Sequence, residues 1–124
     1  MSFAPKQKAI DQSLAPAAFA SDIEAFLGYI SLERGLSKNT IAGYRRDLDQ
    51  AAAFLVRHGA ADWRAVTGEQ AAAWIRSLSA DDYTVASLAR KLSALRNLAR
   101  FLVREKIRDD DFSALLSGPK LTRR

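Results

Sequence analysis

Apolar residues recur every three or four positions along most of the chain, which is the spacing of one buried face of an α-helix. Four such stretches follow one another between about residue 21 and residue 106. No segment alternates apolar and polar residues in the manner of a half-buried β-strand. The pattern therefore predicts an all-α fold, a compact bundle of four main helices joined by short loops.

The first stretch begins at Ser21, because Ser21-Asp-Ile-Glu24 has the sequence of a capping box, in which each polar side chain satisfies a free backbone N–H. Gly35 supplies the stop. We interpret residues 1–19, which hold Pro5 and Pro16, as a flexible lead-in with at most a short helix near Lys8–Leu14. The helix face that follows the box is apolar at Ile23, Phe26, Leu27 and Ile30.

The second and third stretches are bounded by equally local signals. The second runs from Ser37 to His58, and Gly59 ends it. When successive residues are placed about 100° apart, as in an α-helix, its apolar residues fall on one face. The third starts at another capping box, Thr67-Gly-Glu-Gln70. Trp63 and Trp74 flank this region, and we expect both rings to pack on it.

The fourth stretch is long, from about Thr84 to Lys106, and its apolar residues alternate steps of three and four. Asp81 and Asp82 precede it and are predicted to cap its first turn. Leu98 and Phe101 form a second apolar face late in the helix. We expect that face to be buried in the core, with docking of a partner as the alternative.

Composition narrows the class of protein. The length of 124 residues suits one domain, and the absence of cysteine excludes disulfides and Cys-ligated metal sites. No apolar run approaches the roughly 20 residues that span a bilayer, and the N-terminus lacks a signal-peptide core. These features predict a soluble, cytoplasmic protein that does not contact a membrane.

Positive charge is concentrated in one segment. Residues 84–108 hold seven basic residues against Glu105, whereas the whole chain carries a net charge of only +5. The outer face of the fourth helix aligns Ser87, Arg90, Asn97 and Arg104, and that of the second helix aligns Asn39, Arg46, Gln50 and Arg57. Such side chains bind phosphates and base edges. A solvated surface is the alternative interpretation.

Three motifs resemble one known family. Ser37-Lys-Asn-Thr-Ile-Ala-Gly-Tyr44-Arg-Arg-Asp-Leu48 is similar to the helix opening of the core-binding domain of Xer-type tyrosine recombinases and phage integrases. Ser93-Ala-Leu-Arg-Asn-Leu-Ala-Arg-Phe-Leu-Val-Arg-Glu-Lys106 resembles the last long helix of that domain. Residues 109–121, which close on Pro-Lys, resemble its exit segment. The resemblance covers roughly residues 21–124.

The resemblance implies a SAM-like domain that covers one face of duplex DNA, with two helices across the major groove. Those helices would begin near Ser37 and near Thr84. Lys38, Asn39 and Thr40 stand in the first turn of the former, where free N–H groups attract phosphate. Residues that match family DNA contacts are Thr40, Arg46, Ser87 and Arg90, and adjacent candidates are Lys38, Asn39, Lys91, Asn97 and Arg100. Arg45, at the edge of the apolar face, is expected either to contact DNA or to pair with an acid.

By the same resemblance, residues 20–117 form the DNA-binding domain and residues 118–124 start a linker to a catalytic domain that the chain lacks. We therefore expect no catalytic residue, cofactor, metal or small-molecule ligand, and double-stranded DNA and other recombinase subunits as partners. Tyr29, Tyr44 and Tyr83 are interpreted as structural, and His58 as the end of a helix. Asp109–Asp111 is interpreted as a solvated turn.

Two other classes of function remain for comparison. A helical protein-interaction module without DNA affinity would expose an apolar patch and associate without sensitivity to salt. A stand-alone enzyme is disfavoured, because no set of reacting groups is predicted to share a surface.

Overall fold

A computed structural model describes residues 15–81 and 83–116. They form four α-helices, α1 (Ala17–Arg34), α2 (Lys38–Arg57), α3 (Gly68–Ala80) and α4 (Val85–Arg104), with one 3-10 turn at Trp63–Ala65. No strand occurs within these residues, and the predicted all-α bundle of four main helices is confirmed. The expected short helix near Lys8–Leu14 and the expected linker at 118–124 lie outside the described residues.

Helix α2 is the centre of the bundle, since it contacts α1, α3 and α4. Its buried face combines Leu48 and Leu55 with the small residues Ala51 and Ala52, all four fully shielded from solvent. Small side chains let neighbouring helices approach closely while the leucines fill the remaining space.

Helix caps follow the local sequence at two of the predicted starts. Ser37 accepts a hydrogen bond from the Thr40 backbone N–H (3.1 Å) and caps α2. The predicted capping box of α3 is complete, with the Gln70 N–H donating to Thr67 Oγ1 at 3.0 Å and the Thr67 N–H donating to Gln70 Oε1 at 2.9 Å. These side chains satisfy backbone N–H groups that the helix itself cannot.

The prediction that Asp81 caps the first turn of α4 is wrong. Thr84 caps this helix by accepting from the Ser87 N–H at 3.1 Å, whereas Asp81 is the C-terminal cap of α3. Asp82 lies outside the described residues. Thr84 has the extended backbone that an N-cap requires, and it stands immediately before the first helical residue.

Helix α1 begins earlier than predicted, at Ala17 rather than Ser21, and its N-cap Pro16 makes no side-chain cap hydrogen bond. The added turn carries Phe19, whose exposed fraction is 0%. The ring of Phe19 meets Trp63 edge-on at 5.0 Å between centroids, and Trp63 Nε1 donates to the Phe19 carbonyl at 3.1 Å. Burial of Phe19 extends the helix past the capping signal, so residues 17–19 belong to the fold and not to a lead-in.

The segment after α4 folds back onto the turn before α3. The Arg108 guanidinium donates to the carbonyl oxygens of Trp63 (2.9 Å) and Val66 (2.7 Å), and it pairs with Asp110 (3.0 Å). The Phe112 ring stacks on Trp63 at 6.2 Å between centroids. Trp63 and Trp74 are both buried, as predicted.

Replacing Phe19 with alanine tests the position of the α1 start. We expect the free energy of unfolding to fall by about 3–5 kcal/mol, because a buried ring is lost and a cavity remains beside Trp63. Urea denaturation measures the change. Leu32→Ala in the same helix is the control: Leu32 is 88% exposed, so its loss should change stability by less than about 0.5 kcal/mol. Equal stability of the Phe19→Ala variant and the parent would contradict the assignment.

Candidate nucleic-acid interface

A buried carboxylate joins α2 to α4. Asp47 on α2 has an exposed fraction of 0%. Arg90 on α4 donates to both of its oxygens, Nε to Oδ2 and Nη2 to Oδ1, each at 2.8 Å. Lys91 Nζ adds a third hydrogen bond to Oδ1 at 3.0 Å. Because an unpaired buried carboxylate is costly, these contacts determine which part of α4 lies against the middle of α2.

Lys91 is committed to the protein interior. Its Nζ also donates to Gln50 Oε1 at 2.7 Å and lies 5.0 Å from the centre of the Tyr83 ring. Gln50 Nε2 in turn donates to the Tyr83 hydroxyl at 2.8 Å. Lys91 is only 6% exposed. The sequence placed Lys91 among the DNA contacts and Gln50 on an outward face, but internal hydrogen bonds occupy both, and Lys91 is withdrawn from the contact set.

Arg90 is placed differently, since 46% of its side chain is exposed. Its hydrogen bonds to Asp47 raise the pKa of the guanidinium above the usual value, so the group stays charged. Nε and Nη2 face the buried carboxylate, while the described residues leave Nη1 without a hydrogen-bond partner. An arginine has five N–H donors, so several remain for an external acceptor.

The other α2 candidates have exposed side chains. Lys38, Asn39 and Thr40 form the exposed first turn of α2. Arg46 is exposed and immediately precedes Asp47, and its Nη2 lies over Gly43, 3.9 Å from where a Cβ would stand. Arg46 is thus the exposed sequence neighbour of Asp47, the residue that binds Arg90.

On α4, Ser87 stands one turn before Arg90 and is half-buried. Residues three apart share a helix face. Ser87 and Arg90 therefore share one face of α4, and Arg90 is bound to α2 at Asp47. The exposed candidates on α2 itself are Lys38, Asn39, Thr40 and Arg46.

Asn97 and Arg100 belong to a second location. They line an open cleft of about 350 Å³ between α1 and α4, together with Arg34, Arg104 and the Tyr29 ring. Arg100 Nη1 lies 3.4 Å from Asn97 Oδ1, and the Arg104 guanidinium stands 5.0 Å from the Tyr29 ring centre. Seven residues of α-helix separate Asn97 from Arg90, which is about 10 Å along α4.

Arg45 pairs with an acid, which is one of its two predicted outcomes. Its two terminal nitrogens donate to the two carboxylate oxygens of Glu24 on α1, Nη2 to Oε1 at 3.1 Å. This hydrogen bonding lowers the pKa of Glu24 and raises the pKa of Arg45. Arg45 thus links α1 to α2, and its fork is already occupied by Glu24.

Counting basic residues overestimates the basic face. Of the seven in residues 84–108, Arg90 and Lys91 bind Asp47, Arg108 binds backbone carbonyls, and Arg96 Nη2 donates to the Leu116 carbonyl at 2.6 Å. The sequence does not show which backbone carbonyl groups will accept hydrogen bonds from arginine side chains. The burial of Asp47, by contrast, could have been predicted from the sequence. Asp47 stands three residues after Tyr44 and four before Ala51, within the apolar stripe of α2.

The remaining interpretations concern residues outside the interface. Tyr29 and Tyr44 pack against the core, and His58 is the C-cap of α2, its Nδ1 2.9 Å from the Phe54 carbonyl oxygen. The described part of the chain contains no group of His, Asp and Glu side chains suited to a metal ion. Nor does any described helix have the length and apolar character needed to cross a membrane.

Comparison with known proteins gives consistent matches. The family model of the phage integrase N-terminal SAM-like domain matches residues 23–106. The chain is 45% identical over 102 residues to the tyrosine recombinase XerD of Proteus mirabilis, covering 82% of this chain and 32% of that protein. It is 40% identical over 102 residues to the tyrosine recombinase XerC of Pseudomonas putida, covering 82% and 34%. The chain thus spans about a third of the length of these curated relatives.

Replacing Asp47 with alanine tests the bridge between α2 and α4. We expect the free energy of unfolding to fall by about 3–5 kcal/mol, because Lys91 then remains buried without its carboxylate. Chemical denaturation measures the loss. Arg76→Ala is the control, since it breaks an exposed pair with Glu69 and should cost less than about 1 kcal/mol. Similar small losses in both variants would show that the bridge does not stabilise the fold.

Proposed function

The chain belongs to the phage integrase N-terminal SAM-like domain family, and from this premise we propose that it is the DNA-binding domain of a site-specific tyrosine recombinase. Residues 17–116 would form the domain, with double-stranded DNA and other recombinase subunits as partners. Strand cleavage and rejoining are assigned to the part of the parent protein that corresponds to the unmatched two thirds of its relatives. The proposal places the domain in the cytoplasm, where its DNA substrate is found.

The observation that carries the proposal is the exposed part of Arg90, which is bound through Asp47 to α2, a helix with exposed polar and basic residues of its own. Arg90 keeps its charge and has N–H donors left for an acceptor outside the protein. Arg46 and the first turn of α2 add further exposed donors. Phosphate contacts of this kind hold a domain on DNA, and contacts to base edges add sequence preference.

The proposed contact set is Lys38, Asn39, Thr40, Arg46, Ser87 and Arg90. Asn97 and Arg100 form a second group, farther along α4, that would contact the duplex away from the first. Arg45 is assigned to the pair with Glu24 and Lys91 to the interior. With several cations committed internally, the domain alone should bind DNA weakly.

A protein-interaction module has less support. Such a module would expose a contiguous apolar patch. Among the described residues, the two most exposed leucines, Leu32 and Leu115, lie on separate elements, α1 and the turn after α4. Single exposed apolar residues are ordinary on protein surfaces.

Fluorescence anisotropy of a labelled duplex at low and moderate salt tests the proposal. The dissociation constant should be roughly 10⁻⁴–10⁻⁶ M at physiological salt and should weaken steeply as salt rises, because phosphate contacts release counterions. Arg46→Ala and Arg90→Ala should each weaken binding several-fold and reduce the salt slope by about 0.9.

Arg76→Ala on α3 is the matched control, because it removes the same charge from an exposed arginine away from the proposed face. Equal losses in all three variants would mean that only net charge matters and that the face is wrongly assigned. Absence of binding at low salt, with salt-insensitive self-association in sedimentation, would favour the interaction module instead.

A further inference from the structure

We propose that Asp47 is a positioning residue for DNA binding: it holds the Arg90 guanidinium in one orientation, with the free edge of the fork toward the ligand. The inference rests on the proposed function and adds a residue that does not itself touch DNA. It starts from the two parallel hydrogen bonds, both 2.8 Å long, from Nε and Nη2 to a fully buried carboxylate. Two such contacts define the plane of the guanidinium and prevent its rotation.

The geometry of the fork then determines what remains for a ligand. With Nε and one proton of Nη2 engaged, the end formed by Nη1 and the second proton of Nη2 is left. The engaged edge lies against a buried group while 46% of the side chain is exposed, and the proposal takes that exposed part to include the remaining pair of donors. Two donors side by side match two oxygens of a phosphate.

Lys91 supports the Asp47–Arg90 pair from the protein interior. Its ammonium binds Asp47 Oδ1 and Gln50 Oε1, and it neutralises the carboxylate within the protein. The three charged groups together carry one net positive charge. Since Lys91 is 6% exposed and Asp47 is fully buried, that charge reaches the surface only at Arg90.

This arrangement reduces the cost of binding. A free arginine side chain loses much rotational freedom when it docks on a phosphate, whereas a side chain already held in place loses less. Arg90 should therefore contribute more to affinity than an exposed arginine of equal charge that lacks such a support.

The test separates orientation from charge. Asp47→Leu combined with Lys91→Met removes one acid and one base, so net charge is unchanged and Arg90 stays in place. Replacing a buried ion pair by apolar residues often preserves stability, which thermal denaturation checks. We expect duplex affinity to fall to that of Arg90→Ala, roughly 5–10-fold, and the salt slope to fall by about 0.9. Adding Arg90→Ala to this double variant should cause little further loss.

Two further variants sharpen the result. Asp47→Asn makes the protein more positive, so simple electrostatics predicts tighter binding, whereas loss of positioning predicts weaker binding. Because this variant leaves Lys91 buried without its carboxylate, thermal denaturation checks its fold before binding is measured, and the measurement on Arg90 in the parent protein depends on neither variant. Glu69→Gln with Arg76→Gln is the charge-neutral control for an exposed pair, and it should bind DNA like the parent.

A measurement without DNA tests the orientation directly. The Arg90 Nε–H resonance in ¹H–¹⁵N spectra should be protected from solvent exchange in the parent and lose that protection in the Leu–Met variant. If Arg90→Ala weakens binding but both Asp47 variants bind like the parent or better, the positioning role is overturned while DNA binding stands. If the parent itself does not bind DNA, the proposed function fails and the positioning role fails with it.

Discussion

The arrangement of the bundle depends on one buried carboxylate. Asp47 lies in the middle of the central helix, and its burial is tolerable only where cations and hydrogen-bond donors surround it. Arg90 and Lys91 are neighbours in α4 and reach it together, so the second turn of α4 has to lie beside the middle of α2. Apolar contacts are non-directional, whereas these hydrogen bonds require particular atoms to meet, so the carboxylate adds a specific constraint to the packing of the leucine and alanine faces.

The same constraint sorts the basic residues of α4 by role. Lys91 turns inward because its ammonium is needed at the carboxylate and at Gln50, whereas Arg90, with a longer planar fork, binds the same carboxylate and still reaches solvent. Farther along, Arg96 and Arg108 act as donors to backbone carbonyls and hold the segment after α4 in place. A basic segment can therefore be mainly structural, and the part left for an anionic partner is smaller than its charge suggests.

The two groups of exposed cations share one helix but have different neighbours. Arg90 stands against α2, while Arg100 and Arg104 stand in the cleft beside α1. Both groups stand on one continuous helix, from Val85 to Arg104, and roughly three of its turns separate Arg90 from Arg100.

The sequence by itself determined the fold class, the number of helices, the start near Ser37, the cap at Thr67, and the family, because periodicity, capping and motifs are local properties of the chain. Only the tertiary structure decided that Phe19 belongs to α1, that Lys91 is buried and that Arg45 pairs with Glu24. The reason is physical: their partners, Trp63, Asp47 and Glu24, are 21 to 44 residues away in sequence. Such groups come within hydrogen-bonding distance only when the helices pack against one another.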